Sequence, residues 1–65
     1  MKEIQQFRDI KGHIKGRLYE EGDDQVLRNA TGQIVGRYIK SANATRDHNG
    51  RNIGYGNQIM TLLPG

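Results

Sequence analysis

The chain has 65 residues and no cysteine, which fits a single domain, leaves no disulfide to staple it, and removes the thiolates on which the usual zinc clusters depend. One phenylalanine, three tyrosines and no tryptophan supply little apolar material. A core of this size rarely contributes more than about 3–5 kcal/mol, so the fold is expected to be completed by self-association or by docking on a partner. A formal net charge of +3 and a pI near 9.6 permit contact with nucleic acid or an acidic protein, yet lie within what solubility alone requires.

The segment Met1–Gln6 has no apolar signal region and no window of the sequence approaches membrane-spanning length, which makes the cytoplasm the expected compartment. Ile4 to Asp9 reads as a first strand and His13 to Tyr19 as its partner, with Phe7, Ile14, Leu18 and Tyr19 as candidates for burial. Alternation along this pair is imperfect. The run Glu20-Glu21-Gly22-Asp23-Asp24 then reads as a solvated turn, because it lacks the ligand spacing of a calcium-binding loop. Gln25 to Asn29 and Gln33 to Lys40 form a second pair, and its β-branched return strand Ile34–Ile39 is expected at the centre of the sheet. After the small connector Ser41–Ala44, Thr45 to Asp47 and Arg51 to Gly56 form a third pair.

The three pairs share one template. Arg8-Asp9-x-x-Gly12-x-x-x-Gly16-Arg17, Arg28-Asn29-x-x-Gly32-x-x-x-Gly36-Arg37 and Arg46-Asp47-x-x-Gly50-x-x-x-Gly54-Tyr55 align without a gap, beginning 20 and then 18 residues apart. An Asp or Asn followed three residues later by Gly predicts a type I turn closed by a left-handed glycine, which is the common three-residue hairpin connection. The second glycine falls in the returning strand, where it implies a bend or a close backbone approach. Small residues four apart also mark pairing membrane helices, but the apolar segment that such pairing needs is missing. The fold expected is therefore all-β: one domain over residues 1–65, an antiparallel meander of about six strands. It comprises repeat units at about 4–19, 25–39 and 43–56 in a pseudo-threefold arrangement.

The last nine residues, 57–65, differ from the rest. Ile59, Met60, Leu62 and Leu63 crowd together without a charge before Pro64-Gly65. They read as a final strand or helical turn that closes the core, or else as an interface for self-association.

Candidate binding residues are Arg8, Arg17, Arg28, Arg37, Arg46 and Arg51 together with Tyr55. If the hairpins are equivalent, the repeated arginines form a ring or stripe suited to phosphates or carboxylates; otherwise each braces its own turn or pairs with a neighbouring acid. His13 and His48 occupy unequal template positions, and no nucleophile motif accompanies them, so neither catalysis, a cofactor nor a metal site is expected. Asn29-Ala30-Thr31 and Asn43-Ala44-Thr45 match the glycosylation pattern but read as turn chemistry.

The trio Asp9/Gly12/Gly16, Asn29/Gly32/Gly36 and Asp47/Gly50/Gly54 resembles the hairpin repeats of small bacterial four-fold β-flower proteins, with three copies where that pattern has four and with Tyr55 in place of an arginine. The resemblance implies a β fold and brings no catalytic residues. Function is expected to be non-enzymatic: a small interaction module for a protein partner or for its own copies, of a kind that a phage or mobile element encodes. The alternative is binding of nucleic acid by the arginine-bearing hairpins.

Overall fold

The computed structural model describes residues 2–63. Its six strands are β1 (Lys2–Arg8), β2 (Ile14–Glu21), β3 (Asp24–Asn29), β4 (Ile34–Ile39), β5 (Ala44–Asp47) and β6 (Asn52–Tyr55), all antiparallel and all in one sheet in sequence order. Strand β4 thus takes a central place, beside β3. A 3-10 turn over Lys40–Ala42 links β4 to β5, and a second one, Ile59–Leu62, follows β6.

The three template turns share one set of hydrogen bonds. The N–H groups of Gly12, Gly32 and Gly50 each donate to the carbonyl of Asp9, Asn29 or Asp47 at 3.0 Å. The same three residues donate their own N–H to His13, Gln33 and Arg51 at 2.9–3.0 Å. Their side-chain oxygens then accept two further backbone N–H groups each, from Lys11 and His13, from Thr31 and Gln33, and from Asn49 and Arg51. The closing glycines have φ of 85°, 89° and 83°, values that a Cβ resists. Asn29 and Asn43 are both engaged by these local contacts: Asn29 by its turn, and Asn43, at φ 47°, by the Tyr38 hydroxyl, which donates to its Oδ1 at 2.9 Å.

Each returning strand carries one extra residue just before its strand glycine. Phe7 pairs with Gly16 and Arg8 with Ile14, so Lys15 is a bulge; by the same count Val35 and Ile53 are bulges in β4 and β6. These insertions explain the imperfect alternation of the sequence. Each also reverses which side of the sheet the following residues occupy. Arg17, Arg37 and Tyr55 therefore share a face with Arg8, Arg28 and Arg46, while the strand glycines lie on the other.

The core sits on the glycine side. Leu18, Leu27 and Ile59 form its buried centre, with Phe7, Val35, Tyr38, Leu62 and Leu63 packed around them. The tail is seated across the sheet by the missing side chains: a Cβ at Gly36 would collide with Leu62, one at Gly16 would lie 2.9 Å from Leu63, and one at Gly54 would lie 3.3 Å from Gln58. Polar contacts fix the crossing at Thr45, whose hydroxyl donates to the Gly56 carbonyl at 2.9 Å and accepts the Gln58 N–H at 2.8 Å. Of the apolar tail residues, Ile59 is 2% exposed, Leu62 and Leu63 are half-buried and Met60 is exposed.

Both sheet edges are blunted. Strand β1 has an irregularity at Ile4, and in β6 the Asn52 Oδ1 accepts the Gly54 N–H at 2.9 Å. Such devices discourage edge-to-edge pairing between molecules.

Candidate functional site

The face opposite the tail carries the arginines. The pairing register sets Arg17 directly across from Arg28 and Arg37 directly across from Arg46. Arg8 lies two residues beyond Gln6, the partner of Arg17, and Arg28 two residues beyond Val26, the partner of Arg37. Tyr55 pairs with Ala44, two residues before Arg46. The six equivalent template positions therefore form a single stripe, one residue per strand from β1 to β6, with arginine on the first five and tyrosine on the last. Direct neighbours in such a stripe have Cβ atoms about 5 Å apart and diagonal ones about 7 Å. Five strand spacings of roughly 4.8 Å give the stripe a length of about 24 Å.

Three of these guanidinium groups have partners. Arg8 donates to the Gly12 carbonyl at 2.8 Å and to Gln6, Arg28 donates to the Gly32 carbonyl at 2.6 Å, and Arg17 lies 3.2 Å from the Glu3 carboxylate. These arginines brace their own turns or pair with an acid. Arg37 and Arg46 make no side-chain hydrogen bond or ion pair among the described residues. Arg51 stands apart from the stripe, in the third turn, where its N–H and carbonyl both engage Asp47.

Val26, which the sequence did not single out, and Tyr19, expected there only as a candidate for burial, support this face. Val26 is fully buried although it lies on the arginine side, with Tyr19 and Arg37 as its partners in the register; the body of a tyrosine and the aliphatic stem of an arginine suit that covering role. The Arg28 guanidinium lies 5.9 Å from the centre of the Tyr19 ring, within cation–π reach. The regular β2–β3 register brings Tyr19 to Val26 and Arg28, and the β3–β4 register, past its bulge, brings Arg37 to Val26.

The acids are mostly kept off the stripe. Glu20, Glu21, Asp23 and Asp24 gather around the β2–β3 turn, at the end of the strands opposite the three template turns. Asp9 and Asp47 are occupied with backbone N–H groups. The N–H of Arg51, with that of Asn49 and the nearby charges of His48 and Arg51, holds the Asp47 carboxyl below its ordinary value of 3.8, while partial burial opposes the shift. His13 is exposed, its Nδ1 3.6 Å from Asp9, and His48 is exposed in the third turn.

Comparison with protein-family models, with curated proteins and with solved structures yields no match. The site is read from its own geometry. Among the described residues no cluster of histidine, aspartate and glutamate could hold a metal ion, and no helix is long and apolar enough to cross a membrane. No pocket indents the described surface.

Proposed function

We infer that this chain is a non-catalytic binding module, working in the cytoplasm, that holds a polyanion against the arginine-bearing face of its sheet. The observation that carries this reading is the pair of like-charged cross-strand contacts, Arg17 with Arg28 and Arg37 with Arg46. Like charges directly opposite in a sheet are destabilising, and among the described residues only Glu3 lies close enough to offset one pair. An anionic partner removes that repulsion and gains from it.

Self-association has weaker support. Three of the four apolar tail residues are turned into the chain's own core, and both edges are blunted. Elution as a dimer at micromolar concentration would favour that second reading.

Heparin, a regular polyanion, supplies the test. The double variant Arg37→Ser/Arg46→Ser is expected to leave a heparin column at clearly lower salt than the parent chain. The control Lys11→Ser/Lys40→Ser removes the same charge away from the stripe and should elute close to the parent. Equal losses in the two variants would reduce the interaction to net charge and overturn the reading.

A further inference from the structure

The stripe has dimensions as well as charge. The arginines sit on the flat of a six-stranded sheet about 24 Å across, not on the single helix or two-stranded ribbon that the roughly 12 Å major groove of B-DNA admits, so this face would reach the outer phosphates of a duplex rather than its base edges. A single strand imposes no such limit, because its backbone can follow a basic track while its unpaired bases turn toward aromatic faces. Tyr55 offers such a face: it ends the stripe and is 76% exposed. The acidic β2–β3 turn at one end of the strands repels phosphates, so a bound strand would run across the sheet from β1 to β6 rather than along the strands.

The geometry points to single-stranded nucleic acid as the partner of this face, with phosphates on the Arg8, Arg17, Arg28, Arg37 and Arg46 stripe and one base stacked on Tyr55. This rests on the polyanion reading above and gives it a ligand class. A repeating row of cations, one on each strand from β1 to β5, matches a polymer with one charge per unit better than the irregularly placed carboxylates of a folded protein. Base faces and phosphates are common to DNA and RNA, so the site is indifferent to the sugar.

Fluorescence anisotropy with labelled twelve-residue oligo-dT and oligo-rU tests the proposal, beside a twelve-base-pair duplex and a poly-glutamate peptide of equal length. The two single strands should bind alike and more tightly than the duplex or the peptide. With Arg17 engaged by Glu3 and about four phosphates contacted, the log affinity should fall with log salt at a slope of about −3. Tyr55→Ala should weaken single-strand binding about tenfold, Tyr55→Phe should retain it, and heparin retention should be the same in both. Duplex or peptide binding as tight as single-strand binding, or a Tyr55→Ala variant that binds oligo-dT like the parent, overturns the proposal while leaving the heparin result intact. Failure of the stripe variant to change heparin elution would instead remove the polyanion reading itself.

Discussion

At Gly36 the chain has no room for a single methyl group: a Cβ there would meet Leu62 on one side and lie 2.6 Å from the Arg46 carbonyl on the other. Gly16 is slightly more open, with the Arg28 carbonyl and Leu63 both at 2.9 Å, and Gly54 meets only the flexible Gln58 at 3.3 Å. Alanine substitutions should therefore destabilise in the order Gly36, Gly16, Gly54. The first should cost about 1–3 kcal/mol, as overpacking does, and urea midpoints would give the order directly. The turn glycines are constrained differently. Nothing lies near a Cβ at Gly12, Gly32 or Gly50, so alanine there strains the backbone rather than the packing, and asparagine should be tolerated better than alanine.

Asp47 belongs to the same scale. Its carboxyl is held below the ordinary value of 3.8 chiefly by the Arg51 N–H, so in the folded state its charged form is favoured. The stability that this contributes is present in full above the unfolded-state value and is lost as pH falls through the lowered folded-state one. Asn29 fills the equivalent turn position with the same backbone contacts and no charge. Asp47→Asn is thus expected to keep the turn and to flatten the loss of stability on acidification below about pH 4, as followed by thermal melts across pH.

Among the elements, the tail has the most leverage for its length. Among the described tail residues Ile59 alone lies in the buried centre with Leu18 and Leu27, and Ile59→Ala should cost about 2–5 kcal/mol. That is comparable with the roughly 3–5 kcal/mol a core of this size supplies, so dispersion of the amide resonances of Gly16 and Gly36 should collapse in the variant. The sequence announced the hairpins because Asp or Asn with a left-handed Gly is local chemistry, legible one residue at a time. It announced an apolar tail as well, but left strand, helical turn and interface open, since the choice depends on the notches the tail crosses. The strand glycines announced a bend in each copy, but not that Lys15, Val35 or Ile53 is an extra residue; only pairing with the neighbouring strand marks that.

For the whole molecule, those bulges decide what the repeat means. Spacing alone puts an arginine at the start of each copy, and an arginine or Tyr55 at its end, without saying that both ends reach one face; one extra residue per returning strand brings them there. The resulting stripe sets recognition against stability. Arg46→Thr removes the cation opposite Arg37 and introduces a residue that sheets favour. It should raise the urea midpoint while lowering heparin retention, the opposite signs expected where a residue is kept for binding at the expense of the fold. A variant that lost both together would show Arg46 to be structural.

The order of the chain adds one more consequence. Every strand pairs with its sequence neighbour, so a ribosome can release the hairpins to fold one after another as they clear the exit tunnel, each closing only short loops. The segment that roofs Leu18 and Leu27 comes after all of them. Until it emerges, the nascent sheet displays a greasy, glycine-pitted surface to whatever chaperones attend translation. A pause upstream of Ile59 would prolong that exposure, and a truncation there would make it permanent.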